Sequence, residues 1–172
     1  MRTARLFVAA VPPAAVLDRV AALPRPEVEG LRWTTRDQWH VTLRFLGRVT
    51  DVDAVSAAVE AVTISRCEAR IGPEVGRFGR RVLQVPVAGL DDLAAAVVAG
   101  TAAVGEPPED RPFAPHLTLA RARARRGIDL RALTGEPIEA AWPVEDICLV
   151  ESRLHPDGAR YETLRRVRTM EP

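Results

Sequence analysis

Lysine is absent from this sequence of 172 residues: all 24 basic side chains are arginine, set against 23 acidic ones for a formal net charge of +1. Without lysine the chain cannot form a Schiff base, a covalent lysyl-nucleotide adduct or the phosphate-loop lysine of GxxxxGK[ST], so ATP-driven ligation through a lysyl adduct is excluded. Near-neutral charge also excludes binding of nucleic acid by bulk charge, and a polyanion has to be met by a local cluster. Cysteine is scarce. Cys67 and Cys148 stand far apart with no Cys-x-x-Cys or Cys/His cluster, which suggests neither a disulfide framework nor a structural zinc site and makes a reduced, cytoplasmic location the expectation. No run of about 18 apolar residues occurs, so no membrane-spanning helix is expected. The opening MRTARLFVAAVPPAA imitates a secretory signal, but its apolar stretch is short and runs into Pro12, Pro13, Asp18 and Arg19; it reads as a first strand.

The apolar complement is ordinary, 47% of residues with 5% aromatic, and at this length implies one domain or two intimate lobes. Residues 6–11 form a compact apolar strand stopped by the proline pair, and 13–23 place Val16, Leu17, Val20 and Leu23 at helical spacing. Residues 24–30 read as a loop and 39–46 as a second strand ended by Gly47; a helix then starts at Asp51 with Val52, Val55, Val59 and Val62 on one face. Strands at 67–71 and 81–87 flank a turn containing Gly72, Pro73, Gly76 and Gly79. An Ala-rich helix over 91–104, a loop over 105–115 and a strand over 116–121 repeat that order. A short helix at 129–133 and strands at 146–151 and 160–167, joined by a turn with Pro156, Asp157 and Gly158, complete the mixed α and β pattern.

An internal repeat organises the chain. Arg5-Leu6-Phe7-Val8 corresponds to Arg81-Val82-Leu83-Gln84, and His40-Val41-Thr42-Leu43 to His116-Leu117-Thr118-Leu119, both at an offset of 76 positions. A duplicated fold would set two equivalent strands about a pseudo-two-fold axis. In a strand, residues two apart share a face, so His40 projects with Thr42 and His116 with Thr118, while Val41, Leu43 and Phe45, and Leu117 and Leu119, face the other side. A lone His-x-Thr is ordinarily a half-exposed strand residue. Here two of the three histidines carry the motif at the repeat offset, which points to one shared groove. Two imidazoles there can act as general base and general acid, with two hydroxyls donating to non-bridging phosphate oxygens. That chemistry suits a phosphodiester activated by ring strain, such as a 2',3'-cyclic phosphate, and no HExxH or comparable metal-ligand cluster is present.

These tetrapeptides, within RWTTRDQWHVTLRFLG and RPFAPHLTLARAR, resemble the paired HxTx signatures of the two-histidine phosphoesterase superfamily, in particular its LigT-like branch of RNA 2',3'-cyclic phosphodiesterases, also called 2'-5' RNA ligases. The opening RLFVAAVPP and the late VESRL and GARYETL segments share the resemblance, which therefore covers nearly the whole chain. It implies an α+β, bilobal duplicated fold over residues 1–172, with two antiparallel sheets lining a central cleft and helices outside. It further implies hydrolysis of a terminal 2',3'-cyclic phosphate to a 2'-phosphate without metal or nucleotide cofactor, with His40 as proton donor to the 3'-oxygen and His116 activating water. Thr42 and Thr118 complete the catalytic set, and an RNA bearing a cyclic phosphate end is the expected partner, with no membrane and no obligate protein partner inferred.

Other residues are placed by spacing. Arg44 shares a face with His40 and Thr42 by alternation and is expected in the groove; Arg121 falls on the far side from His116 unless the strand bulges at its end. Phe7 and Trp39 are candidates to stack on a base, with core packing the competing role of Phe7. Arg121, Arg123, Arg125 and Arg126 form the densest basic segment, suited to an RNA backbone or to a solvated loop. His155 reads as a surface turn histidine, and Ser152 and Arg153 have no role derivable from spacing. A cyclic phosphodiesterase of small nucleotides and a non-catalytic RNA-binding module are the alternative functions.

Overall fold

Leu6, Val8 and Ala10 alternate with Arg5, Phe7 and Ala9 along the first strand, and this alternation separates the two faces on which the protein is built. The computed structural model describes residues 2–123 and 128–170. Its elements in chain order are β1 (Ala4–Ala10), α1 (Ala14–Ala21), β2 (Leu31–Trp33), β3 (Val41–Val49), α2 (Val52–Glu60), β4 (Cys67–Ile71), β5 (Gly76–Phe78), β6 (Val82–Ala88), α3 (Asp91–Gly100), β7 (His116–Ala122), β8 (Ala140–Val144), β9 (Asp146–His155) and β10 (Gly158–Arg168). Tight 3₁₀ turns lie at Arg36–Gln38 and Leu130–Leu133. Helix starts follow local chemistry: Pro13 precedes α1, the Asp51 carboxylate accepts the Ala54 N–H at 2.9 Å to cap α2, and Asp91 and Asp92 place negative charge in the first turn of α3.

The strands pair antiparallel in the order β10-β9-β1-β3-β7-β6-β4-β8, with β2 added to β7 and β5 to β6. The expected two separate sheets are one curled path, because β3 and β7 meet through a single residue pair, Val41 with Leu117. Those residues are 76 positions apart, so the repeat pairs with its own equivalent, as a two-fold axis through that pair requires. The register of the flanking strands corrects the ungapped repeat. Val8 pairs with Arg44 whereas Leu83 pairs with Ala120, so β1 and β6 correspond at an offset of 75 and the counterpart of Gln84 is Ala9. A one-residue slip exchanges the faces, which is how a glutamine reaches the face that in β1 carries alanine.

Helices α1, α2 and α3 pack against β8, β10 and β3. Val16, Val20, Val55, Val59, Leu93 and Val97 meet Leu6, Val8, Val41, Leu43, Val85 and Leu117 in the main core, each buried side chain contributing about 1.5–3 kcal/mol. On the opposite face a smaller cluster of Phe7, Ala9, Cys148 and Val150 is closed by Tyr161. This second face carries the two histidine motifs. The short strands β2, β5 and β8 were not expected from the sequence: three to five residues give no readable period, and β5 lies inside the glycine-rich turn.

Candidate active site

Each motif histidine is fixed by the same local device. His40 Nδ1–H donates to the Gln38 carbonyl at 2.8 Å, and His116 Nδ1–H donates to the Ala114 carbonyl at 2.8 Å, both two residues upstream. A carbonyl only accepts, so Nδ1 carries the proton and the neutral ring presents a bare Nε2 lone pair. At His40 that lone pair accepts from the Thr42 hydroxyl at 3.0 Å. Because Val41 and Leu117 pair directly with their side chains in the core, antiparallel register sets Thr42 opposite His116 and Thr118 opposite His40 on the other face. Two imidazoles and two hydroxyls are thereby brought together at the junction.

The surroundings disfavour charge on both rings. His40 stacks on Phe7, centroids 4.7 Å apart, and meets the edge of Tyr161 at 5.1 Å; burial there, with smaller contributions from the charges of Arg121 and His116, pulls its pKa down to about 4 against the pull of the Gln38 carbonyl. His116 packs edge-on against Phe78 at 4.5 Å, and its pKa is lowered by burial and then by Arg121 and Arg111, again against its carbonyl partner. Among the described residues no three His, Cys, Asp or Glu side chains gather as a metal donor set.

Both HxTL strands bulge at the leucine. Thr42 pairs with Ala9 and Arg44 with Val8, leaving Leu43 unpaired; Thr118 pairs with Gln84 and Ala120 with Leu83, leaving Leu119 unpaired. Both leucines remain buried, and the alternation reverses beyond them. Arg44 is consequently not in the groove: it is 4% exposed on the helix side, donating to the carbonyls of Val98, Val104 and Glu106 at 3.4, 3.3 and 3.1 Å and to the Thr101 hydroxyl. Arg121 turns the other way, is exposed, and lies close enough to both motif histidines for its charge to resist their protonation. Phe45, expected in the core, emerges 47% exposed on the motif face, 6.1 Å from Phe7.

Phe7 is 3% exposed and supports His40 from beneath, so it packs rather than stacks on a base. Trp39 is also buried; its Nε1–H donates to the Thr34 hydroxyl at 2.9 Å, with Arg25 over its ring. Thr34, which sequence reasoning missed, donates its amide to the Leu119 carbonyl at 2.8 Å and its hydroxyl lies 2.8 Å from the Thr118 carbonyl, tying the segment before His40 to the bulge of the second motif. Tyr161, Phe78 and Gln84 were missed as well, since long-range pairing brings them in; the composition held one weak signal, a single tyrosine. Gln84 is buried beside Thr118, and its Oε1 has no hydrogen-bond partner among the described residues. Arg123 is exposed, while Arg125 and Arg126 lie outside the described residues. His155 pairs loosely with Asp157 in the terminal hairpin, Ser152 lies in register with Arg5 and Tyr161, and Arg153 binds Glu151 and Glu162.

Residues 12–156 match the model of a family described as the 2'-5' RNA ligase superfamily. The chain belongs to the 2'-5' RNA ligase superfamily. Within it, the chain is 42% identical over 67 residues to an RNA 2',3'-cyclic phosphodiesterase of Thermus thermophilus, a match that spans 39% of this chain and 32% of that relative. Two solved structures are similar over almost their full length. The Thermus thermophilus protein TT0787 superposes with a TM-score of 0.76 at 29% identity, covering 95% of this chain and 97% of its own. E. coli LigT complexed with 3'-AMP gives 0.78 at 26% identity, covering 99% and 100%. The superfamily's LigT-like α+β fold is therefore the fold of this chain, with its antiparallel sheet and few helices.

Proposed function

We propose that this protein is a hydrolase of 2',3'-cyclic phosphate RNA ends, producing a 2'-phosphate. The carrying observation is the Val41–Leu117 pair, which brings two Nδ1-anchored imidazoles to one surface with their Nε2 atoms turned to the groove. One neutral Nε2 takes a proton from water as its oxygen attacks phosphorus. The bond from phosphorus to the 3'-oxygen breaks, and that oxygen takes the proton from the other imidazolium, leaving phosphate on the 2'-oxygen. His40 is the donor and His116 the acceptor, as in the order usual for the family. Arg121 and the hydroxyls of Thr42 and Thr118 meet the non-bridging oxygens as charge redistributes. The named activity of the Thermus relative and the binding of 3'-AMP by LigT support this reading. By microscopic reversibility an RNA 5'-hydroxyl in place of water would give a 2'-5' linkage without ATP.

The test is incubation of the EDTA-treated protein with a short RNA ending in a 2',3'-cyclic phosphate. Metal removal is expected to leave turnover intact, the product to be the 2'-phosphate, and His40→Ala and His116→Ala each to lower kcat by about 10²–10⁴. Wild-type turnover by His116→Ala would overturn the mechanism. RNA bound without turnover would establish the binding-module alternative, and turnover of mononucleotides in preference to oligomers would replace the substrate.

A further inference from the structure

β3 and β7 meet through one residue pair, Val41 with Leu117, and beyond it β7 is paired with β2 instead, Trp33 lying opposite Ala120. Residues 34–40 therefore carry the chain from the flank of β7 to the start of β3. One side chain closes this crossing. The Thr34 hydroxyl accepts the Trp39 Nε1–H at 2.9 Å, and its own proton is directed at the carbonyls of Thr118 and Leu119, 2.8 and 2.9 Å away. One end of the tie is thus the residue before His40, and the other is the backbone of Thr118 and Leu119. The turn between Thr34 and Trp39 is itself hydrogen-bonded. The Gln38 N–H donates to the Thr35 carbonyl at 2.8 Å, the Gln38 Oε1 accepts the Thr35 N–H at 3.0 Å, and the Trp39 N–H donates to the Arg36 carbonyl at 3.2 Å. The second motif lacks this device: at the offset of 76, Asp110 stands for Thr34 and Pro115, without a side-chain donor, for Trp39. Trp39 and Val41 flank His40, so the tie holds it on one side and the β3–β7 bridge on the other.

We propose that Thr34 is a positioning residue for the two-histidine reaction: with Trp39 it fixes His40 relative to the strand that carries His116 and Thr118, and so sets the spacing of the two imidazoles across the phosphate. This rests on the phosphodiesterase reading and names what holds its two half-sites in register. A single backbone bridge leaves two strands free to pivot about it, and the tie removes that freedom. The freedom matters because one ring has to reach the attacking oxygen while the other reaches the leaving oxygen, and a misplacement of about 1 Å costs about a hundredfold in rate. The Thr34 hydroxyl is committed to an indole and to backbone carbonyls, so its loss acts on the chemical step and not on substrate affinity.

The experiment measures kcat, KM and Tm, with an RNA ending in a 2',3'-cyclic phosphate, for wild type, Thr34→Val, Thr34→Ser, Trp39→Phe, the double variant Thr34→Val/Trp39→Phe and Val59→Ala. The last is a control that loses packing on α2 in the main core. Valine keeps the shape of threonine without its hydroxyl, and the buried Trp39 donor left unpaired should lower Tm by about 2–8 °C, so rates are taken below every transition. Thr34→Val is expected to lower kcat about tenfold to a hundredfold with KM unchanged. Thr34→Ser, which keeps the hydroxyl, should stay within about threefold of wild type. Trp39→Phe should lose as much kcat as Thr34→Val and, because the two side chains act as one tie, the double variant should be no slower than the slower single one. Val59→Ala should lower Tm with kcat unchanged. The three histidines give a second readout: in Thr34→Val the ring nitrogen and proton resonances of His40 and His116 should move, and those of His155 in the terminal hairpin should not. Raised KM at constant kcat, additive losses in the double variant, or a fall in kcat for Val59→Ala equal to that of Thr34→Val would overturn the proposal. Absence of turnover by the wild type would overturn the hydrolase reading, while unmoved His40 and His116 resonances in Thr34→Val would overturn the positioning role whatever the activity.

Discussion

His40 lies between the Phe7 face and the Tyr161 edge, where a charged imidazole loses hydration that neither ring restores. Its pKa falls from an ordinary value near 6.5 to about 4, so between those values the unfolded chain binds the proton and the native protein does not. Stability therefore rises with pH through that window and is lost as pH falls toward 4, by at most about 3 kcal/mol. Urea unfolding between pH 4 and 7 should show this slope, and His40→Gln should flatten it; an unchanged slope would mean that His40 is not the responsible group. The same depression bears on catalysis. A cycle that needs one imidazole protonated and one neutral is best populated, in the free enzyme, between two values that both lie below 6.5. The profile of kcat/KM is expected to peak on the acidic side of pH 6.5, whereas that of kcat moves upward because the bound phosphate's negative charge favours the imidazolium.

The decisive local elements are the two bulges, because they choose which side chains reach the face that carries the two histidine motifs. Arg44 is the clearest case: its guanidinium serves carbonyls at and beyond the C-terminal end of α3 and so ties that helix to β3 behind the chemistry. Arg44→Met should cost at least about 2 kcal/mol, since several buried carbonyls lose their donor, and Arg44→Lys should not restore it because three donors on one ammonium cannot span four acceptors. Thermal unfolding reads the loss. KM measured at a temperature where the variant is folded should stay at the wild-type value, whereas a groove arginine would raise it. The motif strands themselves were legible, since period-two alternation around His40 and His116 and a common offset are sequence properties. The bulges were not: Val41-Thr42-Leu43-Arg44-Phe45-Leu46 fits a regular strand as well as one in which Leu43 is extra, because a leucine is buried in both. Arg44 and Phe45 therefore exchanged places, while Arg121 reached the site through the bulge that its position required. Tyr161 and Phe78 belong to strands whose pairing depends on contacts far along the chain, and no local pattern encodes them.

At the scale of the molecule, the repeat does not divide into two independent halves. β4 follows β3 and α2 in the chain but pairs with β6 and β8, while β9 and β10, from the far end of the chain, complete the sheet beside β1. Each half of the sequence thus supplies strands to the other half's wing, and the single bridge between β3 and β7 is not the main tie between them. A chain opened at Gly79, where the turn between β5 and β6 has open space around it, leaves a first fragment whose β1–β3 pair has lost β9 and β7 and whose β4 has lost both neighbours. The second fragment keeps β6 with β7 and β9 with β10, but no strand joins those two pairs. A two-stranded pair is at best marginal in water, because too little apolar surface is covered to offset the ordering of the chain. Neither fragment alone is expected to give dispersed amide resonances or a cooperative unfolding transition. Mixed in equal amounts, they should assemble and recover the unfolding transition, since every missing neighbour is present on the partner. A first fragment that unfolds cooperatively on its own would show that the exchanged strands are ornament on a self-sufficient half, and that the site is built from two separately stable units.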